Sequence, residues 1–209
     1  TDTTESTYLH LSATQVKRLL RTPGVDTLSG LRDTAMIAMM LCTGIRESEL
    51  VLLDVTDLRQ RINGELTLRI RDSKVPRYVP YHALDWCLVY VEEWMLAAEI
   101  FRGAVFRGFY RGSKRVRETR ISRRAVNHIL NRYAIRIGDE MRVVTSHDLR
   151  HIYARNAYES GIPVTHIQQY LGHSKLQTTL AYIGDVQGER RQRRHFKAPH
   201  QPAEVQQWA

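Results

Sequence analysis

The sequence predicts a mainly α-helical domain that carries one small antiparallel β-sheet. Three observations predict it. Apolar residues recur at helical spacing in segment after segment, each bounded by recognisable start and stop residues. One stretch near residue 65 switches to strict alternation, the period of a half-buried strand. The 209 residues are 43% hydrophobic and 25% charged, which is enough apolar mass for a packed core.

In order along the chain, Ser12 caps a first helix in which Val16, Leu19 and Leu20 share a face, and Pro23-Gly24 ends it. Residues 29–43 are apolar almost all round, which marks a buried helix, and Gly44 stops it. "RESELVLL" opens a third helix with Glu47 and Glu49 in its first turn, where carboxylates suit the helix dipole. "GELTLRI" alternates Leu66, Leu68 and Ile70 with polar residues, and "RYVPY" follows a turn at "DSKVP", so a hairpin is expected over about residues 65–80. Helix is expected again over 82–101. A further helix runs from a Ser122 cap to a Gly138 stop, and the next from Thr145 or Ser146 to Gly161. Pro163 begins a short helix, and "KLQTTLAYIG" forms a last short helix or turn. No internal repeat is present.

The net charge of +9 points toward a polyanionic partner. From Arg102 to Arg124 there are nine Arg or Lys and a single acid, Glu118. Gly103, Gly108 and Gly112 make much of this segment a loop, in which guanidinium and backbone groups approach phosphates closely. Arg111, Lys114, Arg115, Arg117, Arg120 and Arg123 are its expected DNA contacts, against the alternative of a solvated loop. Cys42 and Cys87, far apart and in apolar surroundings, form no metal knuckle or disulfide scaffold and read as buried thiols of a reducing compartment. With no 18-residue apolar run and no signal peptide in "TDTTESTYLH", the expectation is an intracellular, cytoplasmic, nucleoid-associated protein with no membrane contact. Residues 1–7 read as a linker, as if the chain were cut from something longer.

The chemistry is concentrated in four short pieces. "TSHDLRHIY" places His147 and His151 four apart, on one helix face. That is the spacing of a zinc-binding H-E-x-x-H helix, with Asp148 in place of Glu. The same helix turns His147 and Arg150 to one side, an arrangement suited to one phosphate. "TGIRESEL" puts Arg46 at a helix start, Lys74 stands in the hairpin turn, and Tyr182 follows His173 of "LGHS" by nine residues. Two guanidinium forks and two histidines suit the equatorial oxygens of a pentavalent phosphorane. Lys74 would protonate a leaving oxygen, and Tyr182 would supply a nucleophile.

These pieces in this order resemble the catalytic domain of the tyrosine recombinases, the phage-integrase family. The family pattern runs T-G-x-R-x-x-E-L, a hairpin lysine, H-x-L-R-H, L-G-H and a tyrosine nine residues on. The resemblance covers roughly residues 8–185, leaving 186–209 as a basic C-terminal tail. It implies the tyrosine recombinase catalytic-domain fold and site-specific DNA strand exchange through a 3′-phosphotyrosyl link, without ATP, metal or other cofactor. It assigns Arg46 and Arg150 as phosphate clamps, His147 to proton removal from Tyr182, His173 to the scissile phosphate and Lys74 to general acid catalysis. Glu49 becomes a structural carboxylate beside Arg46, and His151 an inward-facing partner that orients its neighbours. Double-stranded DNA is the implied partner. Assembly is implied as a homotetramer on DNA, the free chain a monomer or not, with the tail (Val205, Trp208) docked on a neighbour or mobile. Phage integration, transposition and replicon resolution are all open as the setting.

The sequence departs from the pattern in two places. Many members place the lysine eight residues before the strand's closing proline. Asp72 stands there, and Lys74 is six before Pro80, a shift of two that keeps strand parity. Glu47 follows Arg46 where an apolar residue is usual. Three alternatives stand beside the recombinase reading. They are a zinc site on the histidine helix with His166, His173 or His195 as third ligand, a type IB topoisomerase-like relaxation of supercoils, and a non-catalytic DNA-binding regulator on the same fold.

Overall fold

The computed structural model describes residues 9–71, 75–81 and 86–184. Helices α1 (Ala13–Arg21) and α2 (Leu28–Thr43) come first, then a single turn, α3 (Glu47–Leu50). A sheet of β1 (Gln60–Ile62), β2 (Glu65–Ile70) and β3 (Arg77–Pro80) precedes α4 (Cys87–Ala97). Strands β4 (Arg107–Phe109) and β5 (Val116–Arg120) form one hairpin. After α5 (Arg123–Leu130), β6 (Ala134–Ile137) and β7 (Glu140–Val143) form another. Helices α6 (Ser146–Glu159), α7 (Val164–Leu171) and α8 (Leu176–Ile183) complete the described chain. The mainly helical class with small antiparallel β-structure is as the sequence predicts, though among the described residues three sheets stand where one was expected.

α2 is the central rod. Every residue from Ala35 to Cys42 is buried, and the helix packs against α4 on one side and α6 on the other. Its all-round apolarity thus reflects enclosure rather than a membrane. Among the described residues no helix is long and apolar enough to cross one. Both cysteines are buried in this core, as expected. A second apolar cluster of Tyr153, Ala157, Ile167, Leu171 and Ile183 fastens α7 and α8 to α6.

Three segments differ from the sequence expectation. The helix expected to run from Ser122 to Gly138 ends at Leu130, and residues 134–143 pair as β6–β7 across a turn at Gly138. Just after the break the Tyr133 hydroxyl donates to Asp33 Oδ2 at 2.5 Å, which ties the chain to α2. The expected hairpin near residue 65 is part of a three-stranded sheet, because β1 precedes it across Asn63-Gly64. Both turn residues have positive φ, 51° and 81°, the conformation that favours Asn-Gly in two-residue hairpins. The segment from 102 to 124 holds the β4–β5 hairpin rather than loop alone.

Asp33 is fully buried and gathers four donors onto one carboxylate. Arg32 Nε lies 2.8 Å from its Oδ1, and Arg132 Nη2 and the Tyr133 hydroxyl reach its Oδ2 at 3.0 and 2.5 Å. The fourth is a second Arg32 nitrogen, Nη2, at 2.8 Å. Arg32 is itself 5% exposed. Breaking one member of such a pair leaves an uncompensated buried charge, so Asp33→Ala should destabilise the domain by about 3 kcal/mol. A urea denaturation midpoint, with unchanged slope, checks it.

Candidate active site

The loop after α2 begins the site. Gly44 has φ of 62°, and a Cβ there would come within 2.3 Å of the Tyr153 ring, so only glycine fits. This brings Arg46 to the position just before α3, and Glu49 folds back on it. Glu49 accepts from the Arg46 backbone N–H at 2.9 Å and from Arg46 Nη1 at 3.0 Å. Arg77, on β3, donates to the same Glu49 Oε1 at 2.7 Å and from Nε to the Tyr170 carbonyl at 3.0 Å. Burial pushes the Glu49 carboxyl up, but the hydrogen bond and charge of Arg77, joined by those of Arg46, outweigh it and hold the group below its ordinary range. Glu49 is therefore a buried anion shared between two arginines, consistent with a structural part.

α6 starts at a capping box. Thr145 Oγ1 accepts from the Asp148 N–H at 3.2 Å, and Asp148 Oδ2 accepts from the Thr145 N–H at 2.9 Å. Asp148 is thus used at the helix end and is not aimed between the two histidines. Among the described residues no three His, Cys, Asp or Glu side chains gather in a way that could hold a metal ion.

Arg150, 2% exposed, donates from Nη1 to the Gly44 carbonyl and from Nη2 to the Leu171 carbonyl. These bonds tie α6 to the ends of α2 and α7. Its Nε–H is buried with no hydrogen-bond partner among the described residues. Burial, then the charge of Arg46, press the Arg150 pKa down to about 10, so it keeps its charge at neutral pH.

Arg150 Nη2 also lies 3.2 Å from His173 Nε2, and His173 Nδ1 lies 3.0 Å from Thr179 Oγ1. A guanidinium only donates, so Nε2 accepts and Nδ1 carries the ring proton. Burial first, then the charges of Arg150, Arg46 and Arg77, lower the His173 pKa to about 4. His173 is therefore neutral at pH 7. As pH falls, the unfolded chain takes up this proton near the ordinary histidine value of 6.5, before the folded one does. Stability should then decline as pH falls from about 6.5 towards about 4. His173→Gln should flatten that part of the profile in urea midpoints taken across the range.

Tyr182 sits on α8 among these groups. Its ring stacks on His151 with centroids 3.8 Å apart and planes 5° from parallel. His173 is tilted against the same ring with centroids 4.7 Å apart, and Arg150 Cζ is 5.9 Å from the Tyr182 centroid. His151 Nδ1 faces the Tyr182 carbonyl at 3.1 Å, so Nδ1 is the donor. Burial, above all, lowers the His151 pKa and favours the neutral ring. Tyr182 opens on a cleft of about 250 Å³, lined also by Arg46, Glu47, Ser48, Arg123, Ser146, His147 and Arg150. His147 is exposed at its edge.

Six of the eight residues singled out in the sequence thus meet around Tyr182: Arg46, His147, Arg150, His151, His173 and Tyr182 itself. Glu49 stands behind Arg46. Lys74 lies outside the described residues, in the link between β2 and β3. Arg77 escaped the sequence reading, although it stands two residues before the inward Val79 and so shares its strand face. Thr179, which fixes the His173 ring, left no signal beyond its place on α8.

Of the basic residues, Arg111, Lys114 and Arg115 occupy the exposed turn between β4 and β5. Arg115 and Arg117 flank the Tyr110 ring with Cζ at 5.2 and 5.4 Å from its centroid. Arg120 is engaged within the fold, donating to Asp54 Oδ1 at 2.6 Å and to the Val51 and Leu53 carbonyls. Arg123 pairs with Glu47.

The tyrosine recombinase XerD of Yersinia pestis is 33% identical over 177 residues, 82% of this chain and 56% of that protein. XerD of Ralstonia nicotianae is 32% identical over 198 residues, 92% of this chain and 60% of that protein. The chain therefore spans a little over half the length of these relatives. The fold is that of the XerA recombinase crystal structure, with a TM-score of 0.64 at 22% identity, covering 90% of this chain and 66% of that one. It is likewise that of the XerH site-specific recombinase bound to a palindromic difH substrate, with a TM-score of 0.64 at 19% identity, covering 88% and 52%. The sequence pattern of the phage integrase family matches residues 10–187, and the chain belongs to that family.

Proposed function

We propose that residues 8–185 are the catalytic domain of a site-specific DNA recombinase that cuts and rejoins strands through a 3′-phosphotyrosyl intermediate. The observation that carries this reading is the placing of Tyr182. One chain holds its ring against both His151 and His173, beside the buried cation Arg150, at the edge of a cleft that also contains Arg46. A phosphodiester there meets two guanidinium groups, one of them with a buried N–H still to satisfy. Its charge grows on the equatorial oxygens during attack, where fixed cations act most strongly.

In the proposed step the Tyr182 oxygen attacks phosphorus and its proton passes to His147. The bond to the 5′-oxygen breaks, and that oxygen takes a proton from Lys74, a part that rests on the family pattern. Attack by another strand's 5′-hydroxyl reverses the step. His173 accepts from Arg150 in the free protein, so to donate to a phosphate oxygen it has to exchange that contact or gain a proton. The turn bearing Arg111, Lys114 and Arg115, with Arg117 beside it, would meet the duplex backbone. Relatives described as recombinases in complex with DNA support that partner. Assembly as a homotetramer on DNA and association with the nucleoid belong to the same proposal.

The metal alternative loses its base, because Asp148 is committed to capping α6. Covalent trapping tests the rest. A nicked suicide duplex carrying sites from the flanks of its own gene should give a protein–DNA adduct in EDTA. Strand joining between two duplexes would separate recombination from relaxation within one. Binding without any adduct, on native ends with the longest natural form, would favour the regulator reading.

A further inference from the structure

We propose that Arg123, held in place by Glu47, is a substrate-positioning residue that binds a DNA backbone phosphate at the rim of the Tyr182 cleft. Glu47 is the anomaly that leads to it. It is 8% exposed and lines a cleft whose other charged side chains are arginines. An unpaired carboxylate there would repel the phosphodiester that the cleft otherwise suits.

Arg123 resolves the conflict and adds something. Its Nε and Nη2 reach the same Glu47 oxygen, Oε1, at 3.0 and 2.9 Å. Its backbone is fixed as the first residue of α5, after Ser122, whose hydroxyl accepts from the Ala125 N–H at 3.2 Å. Glu47 thus anchors one edge of the guanidinium. The side chain is nevertheless 66% exposed, and its remaining donors have no partner among the described residues. A guanidinium clamped on one edge and open on the other loses little freedom when it takes a second anion. The carboxylate aims an arginine that would otherwise sweep through solvent, and the pair, neutral overall, turns the open edge of the guanidinium to the solvent at the cleft mouth.

The inference rests on the DNA reading above, and its test separates the two. Binding of a labelled site duplex is measured against salt for wild type, Arg123→Ala, Arg123→Lys, Glu47→Gln and the Glu47→Gln/Arg123→Ala double variant. Urea midpoints confirm that each is folded. Arg123→Ala should weaken binding by about tenfold and lower the salt slope by about one. Arg123→Lys should restore the slope, Glu47→Gln should keep it, and the double variant should match Arg123→Ala.

Recovery of wild-type slope and affinity in the double variant would overturn the proposal, since Arg123 would then only neutralise Glu47. In the adduct assay, single neutral methylphosphonates are walked around the scissile position. One should slow wild type without slowing Arg123→Ala further. The absence of any such position would also overturn the proposal. If wild type binds but forms no adduct, the recombinase reading fails while the salt slopes still decide the phosphate contact.

Discussion

Tyr182→Phe is expected to bind DNA as wild type does and to form no covalent adduct. The substitution removes one oxygen and keeps the ring. The stack on His151 and the tilted contact with His173 both involve the ring, so the remaining geometry should survive. The cost in stability should be under about 1 kcal/mol. The loss in chemistry should be complete, because a phenyl ring offers no lone pair to phosphorus. A denaturing gel of the two proteins on nicked suicide DNA, with a binding titration alongside, checks both halves. A band retained by the variant would move the nucleophile to another side chain and detach the His151–Tyr182 stack from catalysis. Loss of binding with loss of the band would make Tyr182 a structural residue first.

Local signals were legible in the sequence and long-range ones were not. Ser12 as a cap and Gly44 as a stop each act within four residues and stand where the sequence predicts, and Thr145 is one of the two caps it offered for α6. The spacing of His147, His151 and Arg150 on one helix likewise follows from helix geometry alone. The break at Leu130 had a local signal in the alternation of Ile135, Arg136 and Ile137 before Gly138-Asp139, but the tie from Tyr133 to Asp33, a hundred residues earlier, had none. The β1–β2 turn could have been read from Asn63-Gly64, a strong short-range signal that the weakly apolar β1 obscured. Glu49 was assigned by pattern, but its sharing between Arg46 and Arg77 needs α3 and β3 brought together. The ring proton of His173 depends on Arg150 and Thr179, which sequence spacing does not connect. Arg120 looked like any other member of a basic run until Asp54 and two carbonyls claimed its guanidinium.

Arg150→Ala should have the largest combined effect, slowing adduct formation by about a hundredfold or more, the scale of one lost transition-state donor. Two consequences have to be separated. The guanidinium is a structural tie as well as a charge: it holds the carbonyls of Gly44 and Leu171, and so the loops that carry Arg46 and His173. Removing it leaves two buried acceptors without their charged donor, at about 1–3 kcal/mol each before relaxation. Its own burial, which lowers its pKa, is relieved in the variant and offsets part of that. A net loss near 2 kcal/mol is expected in urea midpoints. Single-turnover adduct formation at saturating DNA, well below the unfolding temperature, then reports chemistry alone. Arg150→Lys sharpens the distinction, because an ammonium keeps the charge but lacks the fork that spans both carbonyls. It should recover more of the stability than of the rate. Near-normal cleavage in Arg150→Ala would remove this residue from the phosphate pocket and leave it only the carbonyls it holds.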